Sequence, residues 1–173
     1  NAVAVSEICR RLEGVPLAIE LAAAWAAYLP PRLIHDRLDP QLPSLIDGPR
    51  DAPERQRTMQ DTIAWGYGLL STDDRMLVRG LSVFPDGFGL EAAQALAGPE
   101  LDALSGIKSL VDASMLQRRD RDGQELRFVM LETIREFGLD RLADAEEHQL
   151  IFDRQAGWSL DLAERGFSAL VLE

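Results

Sequence analysis

The sequence predicts a mainly α fold, in which a helical bundle is followed by three helices, a β-hairpin and a further helix. Apolar residues recur at spacings of three and four along most of its 173 residues, which is typical of helices with one buried face. Prolines and glycines divide this pattern into segments of helical length. Residues 115–130 depart from it as two short candidate strands around a turn.

The chain opens with two helices that meet at a sharp corner. The first is expected over residues 3–12. Gly14 follows at the position of a left-handed C-terminal cap. Pro16 lies in the first turn of the next helix, where the N–H that proline lacks would have no partner in any case. The apolar face of this second helix consists of Leu17, Leu21, Ala24, Trp25 and Tyr28.

Two more helices complete the expected bundle. The second helix ends at Pro30-Pro31, and a short third helix is expected over residues 31–38. Residues 39–57 contain four prolines and are expected to form a loop with one helical turn near residues 44–46. The fourth helix is expected over residues 58–70, where the spacing of apolar residues returns.

A winged helix is expected from residue 71 onward. Ser71 can cap its first helix, and the next two helices are expected over residues 90–97 and 101–113. The candidate strands, residues 115–119 and 126–130, enclose the turn sequence Asp120-Arg121-Asp122-Gly123. A last helix is expected over residues 131–142. Three helices followed by a hairpin form the layout of a winged helix.

These elements predict three parts of the chain. They are a small helical domain over residues 1–70, a winged-helix domain over 71–143 and a helical tail over 144–173, which could begin a further module. The first residue is not methionine, and the first helix is already under way at residue 3. We therefore expect the sequence to be a piece of a longer protein.

The composition argues against several classes of protein. The net charge is −11, and an acidic surface repels nucleic-acid phosphates. Cys9 is the only cysteine, so no intrachain disulfide can form, as is common in a reducing compartment. The longest nearly apolar stretch, residues 15–29, is shorter than the roughly 20 residues that span a bilayer. We expect a cytoplasmic protein with no membrane contact.

Motifs for catalysis and metal binding are absent from the sequence. It contains no G-x-x-x-x-G-K-[ST] phosphate-binding loop and no cysteine–histidine spacing typical of a metal site. His35 and His148 stand alone, and no nucleophile motif surrounds a serine or the cysteine. We therefore expect no catalytic residue and no metal ligand, and we expect this piece not to be an enzyme by itself.

DNA contact is the function that a winged helix first suggests, because its third helix often enters the major groove. Here that helix, residues 101–113, has a single cation and two aspartates. Aspartates also alternate with the arginines of the hairpin. We therefore expect DNA contact by this domain to be disfavoured. The candidate residues for it are Lys108, Arg118, Arg119 and Arg121.

Four stretches in a fixed order resemble a known family. They are "ICRRLEGVPLAIELAAAW" (8–25), "RQRTMQDTIAWGYGLL" (55–70), "LSVFPDGFGLEAAQAL" (81–96) and "RFVMLETIREFGLDRL" (127–142). Together they resemble the C-terminal half of the nucleotide-binding module of bacterial STAND ATPases, which are related to NB-ARC proteins. The most similar members are transcriptional regulators of the LuxR and AfsR/SARP type. The resemblance covers about residues 3–165.

The resemblance implies a P-loop domain upstream in the same protein. That domain would bind ADP or ATP with Mg²⁺, whereas the present piece would hold no cofactor of its own. "GVPLA" matches the family's G-x-P motif, whose proline packs against adenine. The resemblance therefore implies nucleotide contact by Gly14, Pro16 and Leu17. A helix cap followed by a first-turn proline explains the same residues and is compatible with this role.

A second family position is altered here. The Met-His-Asp motif of NB-ARC proteins, whose histidine contacts the ADP β-phosphate, matches Met130-Leu131-Glu132. The Leu131 side chain cannot donate a hydrogen bond. Either another residue senses the phosphate, or the ADP-bound inactive state is stabilised in another way. The favoured interpretation of Leu131 is a leucine of the core. Glu132 can cap the helix or pair with Arg135. Arg55 and Arg57, expected just before the fourth helix, are candidates for phosphate or interdomain contacts, or are ordinary surface arginines.

The function implied by the resemblance is a nucleotide-dependent regulatory switch. The helical and winged-helix domains would close over bound ADP. An inducer would favour the exchange of ADP for ATP, after which the winged helix would move away and the protein could self-associate. Two other functions stay open. One is a DNA-binding winged helix, and the other is a protein-interaction module of a transcription regulator.

Overall fold

The computed structural model describes residues 2–12, 14–38, 54–119, 126–145 and 147–171, with side chains except at 54–58 and 168–171. The first part of the chain contains helices packed side by side. Their bounds are α1 (Ala2–Arg11), α2 (Pro16–Ala24), a 3₁₀ turn (Trp25–Ala27), α3 (Pro31–Arg37) and α4 (Glu54–Leu69). The loop and the helical turn predicted near residues 44–46 lie outside the described residues.

The corner between α1 and α2 is built as predicted. Gly14 has a φ of +69°, a left-handed conformation that only glycine adopts freely, and its N–H donates to the Cys9 carbonyl at 3.2 Å. Val15 precedes α2 in an extended conformation, and Pro16 is the first helical residue. A small core lies behind this corner, formed by Ile8, Leu12, Ala18, Ala22 and Ile34.

The start of the fourth helix was predicted wrongly. It begins at Glu54 and not at Thr58, so Arg55 and Arg57 lie inside α4 and not before it. The first turn of α4 contains only polar residues, and the apolar spacing that was used for the prediction starts at Met59. The side chains of Arg55 and Arg57 lie outside the described ones.

The second part of the chain has the element order of a winged helix. Its elements are α5 (Thr72–Leu81), β1 (Phe88–Gly89), α6 (Leu90–Ala97), α7 (Ala103–Asp112), β2 (Gln117–Arg119), β3 (Arg127–Val129) and α8 (Glu132–Ala143). The Ser71 hydroxyl accepts the Asp74 N–H at 3.1 Å, which confirms the predicted cap of α5. Asp102 caps α7 by accepting the N–H groups of Leu104 and Ser105 at 3.1 and 3.2 Å.

The strands form a small antiparallel sheet in the order β1-β3-β2. Phe128 of β3 lies opposite Phe88 of β1 and opposite Arg118 of β2. The hairpin of β2 and β3 confirms the prediction, although its turn, residues 120–123, lies outside the described residues. Strand β1 was not predicted, because two residues are too few to show an alternating pattern.

A larger core joins the helical bundle to the winged helix. Leu21 of α2, Ile63 of α4 and Leu70 are buried in the same cluster as Leu81 and Phe137 of the winged helix. The division of the chain at residue 70 stays a prediction, and the two parts share an apolar interior on either side of it.

The tail is a long helix, α9 (His148–Val171), that packs on α6. Arg154 donates to the carbonyl groups of Leu96 and Ala97 at 3.0 and 3.2 Å, and the rings of Trp158 and Phe84 meet edge to face at 5.5 Å. Large apolar side chains remain exposed on the other sides of α9, at Leu150, Phe152, Leu160, Leu162 and Phe167. None of the described helices combines the length and apolar character needed to cross a bilayer.

Candidate functional site

Helix α7 is the third helix of the winged helix, and it is anchored by one face. Its buried residues are Ala103, Gly106, Ile107 and Leu110. Gly106 lies directly against the Leu77 side chain of α5, which a Cβ at this position would overlap. The opposite face presents Leu104, Ser105, Lys108 and Asp112 to solvent. These residues are the ones that a major groove would meet.

The exposed face of α7 forms one wall of an open cleft of about 410 Å³. The other wall belongs to the helical bundle, where Trp25 and Tyr28 follow α2. Lys108 and Ser105 therefore face the bundle across this cleft. The exposed face of α7 is therefore shared with the bundle over the length of the cleft.

Some polar side chains along the cleft have hydrogen-bond partners within the protein, and others have none among the described residues. The Ser109 hydroxyl donates to Asp74 Oδ2 at 2.9 Å, which connects α7 to α5. Within the part of the chain that the structure describes, neither the Lys108 ammonium nor the Asp112 carboxylate has a hydrogen-bond or ion-pair partner. Lys108 thus lies in the cleft as an unpaired cation.

The wing carries a second cationic surface, and part of it was missed by sequence analysis. Arg118 and Arg119 lie on the fully exposed strand β2, and Arg119 pairs in register with Arg127 of β3. Directly opposed residues share a face of the sheet, with Cβ atoms about 5 Å apart. Arg127 also donates to the Gly87 carbonyl at 2.7 Å. The expected hairpin register would have identified Arg127 as a candidate for DNA contact, because it lies opposite Arg119. The predicted candidate Arg121 lies outside the described residues.

The residues matched to the G-x-P motif lie on the surface of the bundle. Gly14 and Pro16 are exposed, and Leu17 is half-buried against the larger core. The ring of Pro16 projects at the start of α2, where the backbone needs no N–H. It is accessible to a neighbouring domain or ligand.

The residues matched to the Met-His-Asp motif lie at the start of α8. Leu131 is the N-cap residue and packs against the larger core, and its carbonyl accepts the N–H groups of Ile134 and Arg135 at 2.9 Å. Glu132 pairs with Arg135 through two bonds of 2.6 and 2.9 Å, as sequence analysis allowed. These bonds from Arg135 hold the pKa of the Glu132 carboxyl below its ordinary value.

A partly buried junction that was not predicted connects three elements. Arg79 of α5 donates to both carboxylate oxygens of Glu147 at 2.7 and 2.8 Å and to the Tyr67 hydroxyl of α4 at 2.6 Å. Burial lowers the pKa of Arg79, but these bonds more than offset it, so the pKa lies above its ordinary value. The junction ties the bundle, the winged helix and the start of the tail together.

The predicted site residues do not converge on one place. Lys108 lies in the cleft, whereas Arg118 and Arg119 lie on the wing. Leu17 and Leu131 are both partly buried against the larger core. In the described ranges, no group of three histidine, cysteine, aspartate or glutamate side chains could hold a metal ion.

Comparison with known proteins places the winged helix among named domains. Residues 70–143 match the family described as a winged helix-turn-helix domain. A protein of Mycobacterium tuberculosis H37Rv, named provisionally as an HTH-type transcriptional regulator, is 42% identical over 151 residues, which are 85% of this chain and 17% of that protein. A Mycobacterium bovis protein with the same kind of name gives the same values.

A further relative, from Mycobacterium tuberculosis H37Rv, is an uncharacterised protein. It is 34% identical over 159 residues, which are 89% of this chain and 40% of that protein. The chain thus spans less than half the length of each of these relatives. The comparisons confirm the predicted winged helix and the similarity to transcriptional regulators, while a nucleotide-binding role stays a prediction.

Proposed function

We propose that this chain is the winged-helix segment of a transcription regulator and that it contacts duplex DNA through its wing. The proposal depends on the register that places the exposed residues Arg119 and Arg127 opposite each other, on the edge strand β2 and the central strand β3 of a domain that matches a winged helix-turn-helix family. The names of the relatives support the same class of function.

The proposal revises our expectation that DNA contact is disfavoured. That expectation depended on the charges of α7, on the aspartates that alternate with the hairpin arginines and on the acidic net charge. It still applies to α7, whose exposed face lines a cleft with the bundle. The wing is a separate surface with Arg118, Arg119 and Arg127. Arginine contacts to phosphate position a protein on DNA without reading sequence. Binding is therefore expected to be sequence-independent and to weaken with salt, because each arginine–phosphate contact releases counterions. It is expected to be weak, because the net charge is −11.

Fluorescence anisotropy with a short labelled duplex tests this mode of binding. The affinity of the wild type is measured between about 25 and 200 mM salt, and each lost phosphate contact reduces the slope of log K against log salt by about 0.9. The double variant Arg119→Gln/Arg127→Gln is expected to lose most of the affinity and about two units of slope.

The matched control is Arg32→Gln/Arg37→Gln, which removes the same charge from two exposed positions of α3. It is expected to bind nearly as the wild type does. An equal loss in both double variants would contradict a wing contact, and so would the absence of binding by the wild type at the lowest salt concentration.

A nucleotide-dependent switch is the second candidate function. It is favoured by the exposure of Pro16 within the stretch that resembles a G-x-P motif, and by the packing of the winged helix on the bundle through one core. In this role the chain would close over ADP bound by a P-loop domain, and nucleotide exchange would shift the balance between two packings. Leu131 offers no donor to a phosphate there, and Glu132 is occupied by Arg135.

Calorimetric titration of ADP tests the second candidate, in a protein that joins this chain to the proposed P-loop domain. Pro16→Ala is expected to weaken binding by about 1 kcal/mol through lost apolar contact with the base. Pro31→Ala is the control, because Pro31 also occupies the first turn of a helix. Unchanged ADP affinity in Pro16→Ala, or millimolar ADP binding by the present chain alone, would contradict the assigned role.

A further inference from the structure

We propose that the cleft between α7 and the 3₁₀ turn binds a small zwitterionic ligand with an aromatic or bulky apolar group, such as an amino acid. The proposal goes beyond DNA or nucleotide contact and assigns a separate site. It combines the size of the cleft, an aromatic wall and two unpaired charges of opposite sign on the facing helix.

The cleft has the size of a small-molecule site. Its volume of about 410 Å³ lies within the roughly 300–1,000 Å³ typical of ligand pockets. The cavity beneath the start of α9, by comparison, has room for about 20 Å³ only. Of these two cavities in the described part of the chain, only the cleft could hold an organic ligand.

Aromatic side chains form the bundle's wall of the cleft. The rings of Trp25 and Tyr28 lie 6.1 Å apart, and Trp65 supports Trp25 from behind with an edge contact at 6.4 Å. Tyr28 is 68% exposed, a large fraction for an aromatic side chain. Aromatic rings arranged in this way can stack on a flat apolar group and exclude water from it.

The facing wall presents one cation and two carboxylates. Lys108 and Asp112 are one helical turn apart on α7, and no partner for either is found within the described residues. Asp74 keeps one carboxylate oxygen for a ligand, since Ser109 donates to the other. A ligand carboxylate would pair with Lys108, and a ligand ammonium would pair with Asp112 or Asp74.

Charge complementarity selects the class of ligand. Two carboxylates beside a single lysine repel a phosphate or any other multiply charged anion. A simple amine would leave Lys108 unpaired, and a simple acid would leave the aspartates unpaired. A zwitterion satisfies both signs, and its side group fills the space along the aromatic wall.

Occupation of the cleft would connect the two parts of the chain. The ligand would contact Trp25 and Tyr28 of the bundle and Lys108 of the winged helix at the same time. Because a ligand stabilises the arrangement to which it binds, it would hold the exposed face of α7 against the bundle.

NMR titration of the ¹⁵N-labelled chain tests the proposal with three defined probes. L-phenylalanine carries both charges, phenethylamine lacks the carboxylate, and 3-phenylpropionate lacks the ammonium. L-phenylalanine is expected to shift the signals of Trp25, Tyr28 and Lys108 with a dissociation constant of about 1 mM. The two analogues are expected to bind about fivefold more weakly.

Two variants identify the contact. Lys108→Met is expected to weaken binding of L-phenylalanine about five- to tenfold while leaving the affinity for phenethylamine unchanged. Leu104→Ala changes an exposed α7 residue that does not line the cleft, and it is expected to bind all three probes as the wild type does. Both positions are exposed, so dispersed spectra are expected from both variants.

Three results would overturn the proposal. They are the absence of shifts with L-phenylalanine at about 10 mM, shifts located away from the cleft, and unchanged affinity in Lys108→Met. The result is independent of the proposed DNA contact, because the wing arginines lie outside the cleft lining and their salt dependence is measured separately.

Discussion

Glu132 forms the pair with Arg135 that its position in the sequence allows. The sequence places it in a stretch similar to a phosphate-sensing motif, yet its carboxylate is held by Arg135 of the same helix. Arg135 also donates to the Ser82 carbonyl at 3.4 Å, which directs its guanidinium toward the protein. The pair therefore lies at the N-terminal end of α8, with part of the Arg135 guanidinium directed inward.

The pH dependence of Glu132 follows from this pair. Its folded-state pKa lies below the ordinary value of 4.5, so the contribution of the pair to stability is present above the unfolded pKa and is lost as the pH falls through the folded pKa. We expect the Glu132 carboxyl, followed by ¹³C NMR, to titrate below its ordinary range. Arg135→Gln is expected to return it to that range, whereas Arg165→Gln on α9 should leave it unchanged.

Gly138 is required where α8 crosses α5. A Cβ at this position would overlap the side chain of the buried Ser82 and lie 3.3 Å from the Val78 carbonyl oxygen. We expect Gly138→Ala to destabilise the chain by about 2 kcal/mol through overpacking, although alanine favours a helix intrinsically. Urea unfolding measures the change.

The control for Gly138→Ala is Gly157→Ala in α9, where no atom lies within 4 Å of the new Cβ. Helix propensity alone predicts that this variant is stabilised by up to about 1 kcal/mol. A loss of stability of the same size in both variants would show that close packing is not the cause at Gly138.

Among the elements, α5 has a connecting role, because Arg79 joins it to α4 and to the start of the tail. The Arg79 side chain is 14% exposed and the Glu147 side chain is 28% exposed, so this ion pair is partly withdrawn from water. Such pairs lose more when one partner is removed than exposed pairs do, since the other charge is left without compensation.

The Arg79 junction can be measured by a double-mutant cycle. We expect Arg79→Met to lower the free energy of unfolding by about 2 kcal/mol, and Glu147→Gln to show clear coupling with it. Arg165→Met, from an ion pair with side chains 51% and 70% exposed, is expected to cost less than about 1 kcal/mol. Additive effects of Arg79→Met and Glu147→Gln would mean that the pair does not hold these elements together.

The whole molecule is organised around a core that crosses the predicted domain boundary. Leu21 and Ile63 from the bundle are buried together with the interior of the winged helix, and Ile151 extends this cluster into α9. Elements that share one apolar interior lose its stabilisation together, so they should unfold together.

Cooperative unfolding of the chain is therefore expected. Fluorescence reports on Trp25 and Trp65 in the bundle and on Trp158 in α9, while far-ultraviolet circular dichroism reports on all helices. We expect the urea transitions from both signals to coincide. In Trp158→Phe the fluorescence comes only from Trp25 and Trp65 of the bundle. This variant should show the same urea midpoint by fluorescence and by circular dichroism. Two separated transitions would contradict the shared core.

Most of the elements could be predicted from the sequence, but little of the site could. Most helices, the hairpin and the Ser71 cap depend on residues within a few positions of one another, and these were predicted. The bounds of two helices were wrong: α4 begins earlier than expected, and α2 ends at Ala24 and gives way to a 3₁₀ turn. Lys108, Arg118 and Arg119 were identified by their charge alone. Their surroundings were not predicted. The cleft beside Lys108 forms between α7 and the 3₁₀ turn, which are far apart in the sequence.

Features that depend on local geometry follow directly from the order of the residues. Gly14 and Pro16 produce the corner between α1 and α2 because only glycine adopts the required φ freely and because proline fits a first turn. The pairing of β1 with β3 and the bond between Arg79 and Glu147, which are 68 positions apart, became visible only in the folded chain. These contacts depend on how distant elements pack, and no periodicity within one element encodes them.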